Sequence, residues 1–266
     1  MKNFKNDFNK LLAKLQNKEN FAFIRFSDGE LFVLQNKKLE LSERGTFIDD
    51  QLAGPTYKKE DYKFFDPEQH QEFYEKLWKS FKHDQKNYFI GISCACCVGM
   101  KNFQWMKKES GVSTELNNQL TWANLFVNSN YPLFIKYIVP ELEKRKIILI
   151  CNENADLSQS SLSIFKDFRI GRNAMIENAD LHLEISKWIE DNNIENEVFL
   201  FSASSLTNIT VYELYKKHPN NIYLDIGTTL NKQFGFPLTR DYLSAYWTDP
   251  SNPDLSGDLN KTCIWL

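Results

Sequence analysis

The sequence predicts an α/β protein: a Rossmann-like, mainly parallel sheet with helices on both faces. Two observations point there. Five short apolar runs, FAFIRF (21–26), YFIGIS (88–93), KIILIC (146–151), EVFLFSA (197–203) and NIYLDIG (221–227), are β-branched or aromatic and bounded by turn residues, as buried strands are. Amphipathic stretches at 67–82, 98–109, 130–144, 178–192 and 206–217 separate them as helices. Strands that alternate with helices favour a parallel sheet covered on both faces. The chain has 266 residues, 42% hydrophobic, and at that length about three quarters of the extended surface can be buried in one body.

Read in order, residues 1–19 form an N-terminal helix, with Phe4, Phe8, Leu11, Leu12 and Leu15 at helical spacing among lysines. That face either docks on the body or makes peripheral contact with a membrane surface, and its modest apolar area favours docking. Residues 20–247 make one continuous α/β domain, in which about 40–66 reads as a long loop or lid. Residues 248–266 are a C-terminal tail that opens with the loop TDPSNPDLSGD. The start lacks the apolar core of a signal peptide and no run is long enough to span a bilayer, so a cytoplasmic protein without a transmembrane segment is expected. The sequons at Asn208 and Asn260 then read as chance.

Composition excludes several classes. A net charge of −3, with lysines and acids interleaved, argues against nucleic acid as a partner. Five cysteines, three of them in CACC at Cys94, Cys96 and Cys97, form no disulfide framework and fit a reducing compartment. CACC hints at a soft metal, but the four histidines are scattered and no second cysteine pair stands at finger-like spacing, which argues against zinc.

In parallel α/β sheets, ligands bind beyond the carboxyl ends of the strands. The residues found there are Ser27, Asp28, Gly29 and Glu30; Ser93 and Cys94; Asn152 to Asp156; Ser204 to Asn208; and Gly227 to Thr229. No glycine fingerprint and no Walker loop accompanies them, which leaves nicotinamide and P-loop chemistry with little support. Ser204 and Ser205 suit either a phosphate at a helix start or a plain helix cap.

The densest chemistry lies in FIRFSDGEL (23–31). Ser27 and Glu30 match a capping box, and Asp28 favours a helix start. The same Asp-x-Glu pair also suits a hard divalent cation whose shell a substrate's phosphates complete. Arg25 sits inside an apolar strand, so its guanidinium needs a carboxylate or phosphate partner. Asn124 and Asn128, beside Trp122 and Tyr131, suit a base or sugar, or else a capped helix with buried rings. Arg169 and Arg172 are weaker candidates for a phosphate or acceptor.

FAFIRFSDGEL resembles the N-terminal signature of the GT-D type glycosyltransferases, a group once catalogued as a domain of unknown function. In that group a strand ending in Arg-Phe-Gly-Asp-Gly-Glu supplies a D-x-E motif. The stretch VFLFSASSLTNITVYELYKKHPNNIYLDIG is similar to the family's second nucleotide-binding half, and the resemblance covers roughly residues 20–240. Ser27 stands where the family usually has Gly, and SASSLTN lacks the Gly-Pro of many members. The resemblance implies a GT-D type fold and a metal-dependent glycosyltransferase. Its donor would be a nucleotide-diphosphate sugar with uridine the default, and its acceptor a glycan, glycolipid or glycoprotein. Asp28 and Glu30 would hold Mn2+ or Mg2+. Arg25, Ser27, Ser93, Asn124, Asn128, Ser204, Ser205 and Arg240 would surround the donor. Asp28 and Asp225 are the catalytic candidates; Asp225 also reads as a ribose contact or a helix cap, and Arg240 with Asp241 folds over the site or forms a surface ion pair. Two other classes fit the pattern: another Rossmann-like enzyme, either a metal-dependent phosphohydrolase or a methyltransferase, and a noncatalytic nucleotide-binding protein.

Overall fold

The computed structural model describes residues 4–54, 62–111 and 119–249. Residues 55–61 inside the 40–66 segment and 250–266 of the tail therefore lie outside the described residues. The chain opens with α1 (Phe4–Gln16) and β1 (Phe21–Phe26), followed by α2 (Asp28–Leu34). Four short strands come next: β2 (Leu39–Ser42), β3 (Gly45–Ile48), β4 (Gln51–Gly54) and β5 (Lys63–Phe65). Then follow α3 (Gln71–Phe81), β6 (Tyr88–Ile92), α4 (Ala95–Val98), α5 (Met100–Glu109) and β7 (Leu120–Trp122). After a broken helical stretch come β8 (Lys146–Asn152), β9 (Ser163–Ile170), α6 (Ala174–Glu177) and α7 (Leu181–Asn192). The chain then runs through β10 (Val198–Phe201), α8 (Leu206–Lys217), β11 (Ile222–Asp225) and α9 (Asp241–Thr248).

The main sheet has seven strands in the order β7-β6-β1-β11-β10-β8-β9, and every neighbouring pair is parallel. All five predicted strands are present, and helices pack around them, so the α/β expectation holds. The central strands are buried on both faces: β6, β10 and β11 have no accessible position along their length. Parallel strands covered on both sides are continuous apolar runs for this reason. Because all strands point one way, their carboxyl ends share one edge, and that edge carries the residues discussed below.

Three features differ from the sequence expectation. Residues 40–66 are not simply a loop: β2 to β5 form an antiparallel sheet in the order β4-β3-β2-β5. Its strands have three or four residues and carry charges, Glu40 and Lys63 among them, which hid their pattern. Leu39 and Phe65 tie it into the main core. The predicted helix over 130–144 is interrupted, running through a 3₁₀ turn (Asn128–Asn130), one helical turn (Tyr131–Leu133), a π-bulge (Phe134–Ile138) and a last turn (Val139–Leu142). Pro132 and Pro140 each begin a helical turn, where the missing N–H is tolerated, and each removes a bond from the turn before it. Finally, β7 and β9 extend the sheet at both edges and α9 follows Arg240; none had been predicted.

The first helix docks on the body. Phe4, Phe8, Leu11 and Leu15 are buried, with the ring of Phe4 against Trp122 and that of Phe8 against Phe126. Asp7 on the same face accepts a 2.7 Å bond from the Thr121 hydroxyl. Its apolar stripe is covered by protein. Among the described residues no helix is long and apolar enough to cross a membrane.

Candidate active site

β1 and β11 are neighbours at the centre of the sheet, and their ends bring Arg25 and Asp225 together across 200 residues of sequence. Arg25 is the one incompletely buried position of β1. Its Nε lies 3.3 Å from Asp225 Oδ1, the side chains being 13% and 7% exposed. The carboxylate accepts two more bonds, from the backbone N of Arg25 to Oδ2 at 3.2 Å and from Gly227 N to Oδ1 at 3.0 Å. Burial pushes the Asp225 carboxyl above its ordinary range; the Arg25 charge pulls it back, and the negative charge of Glu30 pushes it further up.

Gly227 is required here for two reasons. Its φ is +50°, and a Cβ on it would lie 2.1 Å from Arg25 Nη2. The guanidinium therefore packs directly on the loop after β11. Behind it, Asn208 Nδ2 donates to Arg25 O at 2.8 Å, and Ser80 Oγ donates to Asn208 O at 2.8 Å, which fastens α8 and α3 to the central strand.

Glu30 is turned inward and only 6% exposed. One oxygen accepts from Ser27 N at 2.9 Å, the capping-box bond predicted from sequence, and the other accepts from the hydroxyl of Ser205. Ser205 is itself buried at the start of α8. A single carboxylate thus joins the two blocks that carry the sequence resemblance. Asp28, by contrast, is exposed, and Ser204, next to Ser205, is exposed in a left-handed conformation with φ +52°.

Two more elements reach the same edge. Lys63 on β5 brings Nζ to 3.4 Å from where a Cβ on Gly29 would lie, so a cation from the small sheet stands over the turn between Asp28 and Glu30. From the other side, Tyr242 on α9 places its hydroxyl 2.9 Å from Thr228 Oγ1. Burial raises its phenol; the Thr228 bond and the charges of Arg25 and Arg240 oppose that rise, Arg240 being the residue that precedes α9. Tyr131 donates to Thr229 O at 3.0 Å, and Trp247 Nε1 donates to the Tyr131 hydroxyl at 3.2 Å, so α9 is held down by an aromatic cluster.

The candidates from sequence thus divide. Arg25 with Asp225 forms one bonded set and Ser27, Glu30 and Ser205 a second beside it at the same edge, with exposed Asp28 and Ser204 flanking them and Arg240 preceding α9. Ser93 stands beside them, its N 3.2 Å and its hydroxyl 3.5 Å from Phe26 O. Asn124 and Asn128 follow β7 at the far side: Asn124 is buried and its carbonyl accepts from Asn130, while Asn128 is exposed with φ +56°. Arg169 is not at the site; its guanidinium bonds the carbonyls of Asn152, Glu153 and Ala155 and pairs with Asp167, while Arg172 is exposed. Sequence reasoning missed Lys63, Asn208 and Tyr242 as contributors. Only Asn208 carried a signal, its place in the loop after the fourth strand.

No protein-family model and no curated protein matches the sequence. Solved structures match its fold. The chain is similar to a selenomethionine-substituted structure of domain of unknown function 1792, with a TM-score of 0.50 and 12% identity over 86% of this chain and 81% of that one. The chain has the fold of domain 1792. A second structure of domain 1792, described as having a distinct glycosyltransferase fold, aligns with a TM-score of 0.49 and 12% identity, over 86% of this chain and 79% of that one. At this identity the likeness to domain 1792 concerns the path of the chain.

Proposed function

We propose that the protein is a metal-dependent glycosyltransferase that moves a sugar from a nucleotide-diphosphate sugar, with UDP the leading nucleotide, to a glycan, glycolipid or glycoprotein acceptor. The observation that carries this reading is Arg25, a largely covered arginine paired with Asp225 and packed on Gly227 at the carboxyl edge of the sheet, with Lys63 standing over the neighbouring turn. Two cations from separate elements at this edge suit a diphosphate bound in a crevice between them, and a guanidinium presents a planar fork to phosphate oxygens. The domain 1792 fold and the resemblance of the two sequence blocks support it.

The donor set fits a hard divalent ion. Asp28 is an exposed carboxylate at the mouth of the crevice, and each Glu30 oxygen retains a lone pair beyond the bond it accepts. Asp28 would be the principal protein ligand of Mn2+ or Mg2+, and Glu30 would complete the pair while it ties Ser27 to Ser205. Bound there, the ion supplies Lewis-acid neutralisation of charge on the leaving diphosphate.

The protein's own groups do the rest. Arg25 contributes a fixed positive charge in a site of low polarity, where it stabilises a departing diphosphate more than it would in water. Asp225 acts through Arg25: its oxygens are committed to Arg25 and Gly227, which suits it to orienting the guanidinium. Ser204 and Ser205 lie at the start of the twelve-residue α8, where backbone N–H groups point outward and suit phosphate oxygens. Arg240 and Tyr242 close the crevice from α9. Sugar-nucleotide turnover, measured with wild type, Asp28→Asn and Glu30→Gln, tests the reading. Loss of turnover in Asp28→Asn with the fold intact is the expected outcome, and wild-type rates in both variants would reject the metal role.

A further inference from the structure

A second cluster of chemically active side chains lies next to this crevice and takes no part in the glycosyl-transfer reading. The main-sheet strand β6 pairs with β1 up to Ile92 opposite Phe26, so Cys94 emerges at the same carboxyl edge as Ser27. Cys94 opens a tight turn in which Cys97 N donates to Cys94 O at 3.0 Å and Val98 N to the same oxygen at 3.2 Å. The turn points three sulfurs at one another. Cys94 Sγ lies 3.0 Å from Cys96 Sγ and 3.3 Å from Cys97 Sγ, and all three fall within 4.8 Å. Cys94 is buried, while Cys96 and Cys97 are exposed, so the cluster has a protein floor and a solvent-facing side. Cys151 is the contrast: it stands alone in the core, and burial pushes its thiol up to about 11, as for an inert structural cysteine.

We infer that Cys94, Cys96 and Cys97 form a three-thiolate binding site for a soft monovalent d10 metal ion of the cuprous class. The geometry fits. Metal–sulfur bonds of about 2.3 Å in a trigonal plane set sulfurs about 4 Å apart, so the ion enters by a small opening of the present cluster. The donor set selects the metal: three thiolate sulfurs, as ligands, favour a soft ion. Among the described residues no histidine, cysteine or carboxylate joins the three as a fourth ligand, and structural zinc takes four. A disulfide would use two of the sulfurs and leave the third outside; the ion uses all three. On binding, each thiol that becomes a thiolate ligand releases its proton to solvent, with no change in the oxidation state of sulfur or metal.

The test uses the full-length protein, reduced and kept without oxygen, titrated with cuprous ion delivered as its acetonitrile complex and then challenged with equimolar Zn2+. Native mass spectrometry reads the stoichiometry, the ultraviolet sulfur-to-metal band reads the ligands, and iodoacetamide labelling reads thiol protection. The inference predicts one copper per chain, retained against zinc, with three thiols protected from alkylation. Cys96→Ser/Cys97→Ser, which alters exposed side chains only and is checked for folding by circular dichroism, abolishes both the band and the protection. Copper binding equal in wild type and the double variant overturns the inference, as does displacement of copper by zinc. An intact mass lower by two hydrogens in the purified protein, unchanged by titration after reduction, overturns it in favour of a disulfide.

Discussion

Two arginines stand at the carboxyl edge of the same sheet, and the protein uses them differently. Arg169, on the edge strand β9, directs its guanidinium to three carbonyls of the segment after β8 and to Asp167, with the pair about one-third exposed. It closes a loop. Arg25, at the centre, pairs among the described residues with Asp225 alone and rests against a glycine that leaves it room. The edge arginine is consumed by its own chain. The central one is oriented by one carboxylate, and in the proposed function its remaining donors meet the diphosphate. The difference is one of surroundings: a pair in solvent contributes little, whereas a buried pair becomes costly once either partner is removed.

The largest expected effect follows from that contrast. Arg25→Met strands the Asp225 carboxylate and lowers stability by about 3–5 kcal/mol, whereas Arg169→Met costs about 1 kcal/mol, both read from denaturant melts. Adding Asp225→Asn to Arg25→Met restores much of the loss, because neither charge is then buried alone. Equal effects at the two arginines would dissolve the comparison. Its pH dependence sharpens it. Asp225 has a folded pKa above its unfolded value, so the folded state holds the proton more tightly, and stability falls as pH rises from the unfolded carboxylate range through the raised value. Removing Arg25 raises the folded value further and widens that window. The deficit of Arg25→Met should therefore grow with pH in melts run across the acid to neutral range, and a constant deficit would speak against the pair.

Gly227→Ala comes next. It forces a left-handed conformation on a residue with a side chain and drives a methyl group into the guanidinium, at a cost of about 2 kcal/mol with a displaced Arg25. Thermal melts check the cost, and loss of nucleotide affinity checks the displacement. Ser205→Ala has the smallest effect, about 1 kcal/mol, since it removes one donor from a carboxylate that keeps its bond to Ser27 N. A change well above that would show that the Glu30–Ser205 bridge between α2 and α8 holds more of the fold than one hydrogen bond.

Much of this was legible in the chain. The five central strands are continuous apolar runs because both faces are covered, and periodicity reads that directly. In the edge strand β9 only Phe168 and Ile170 are buried, and β7 has three residues, so neither stands out from its surroundings. The strands between 39 and 65 are shorter than the pattern they would need to show. At the site, the local signals held: Ser27 with Glu30 is a capping box, and an arginine within an apolar strand did need a partner. What sequence could not supply was the partner across 200 residues. Asp225 was selected as a base, a ribose contact or a cap, while the fold turns it toward Arg25. Asp28 and Glu30, two residues apart and alike on paper, differ in exposure, and only Glu30 meets Ser205.

The central claim is that Arg25, held by Asp225, receives the diphosphate of a nucleotide. Calorimetric titration of UDP in the presence of Mn2+ into wild type and Arg25→Gln tests it most directly. The account predicts saturable binding by wild type, weakened by a factor of ten or more in the variant, on the order of the 1.5–3 kcal/mol that a hydrogen bond to a charged group contributes. Binding of equal strength in both proteins, with the variant folded, would contradict it.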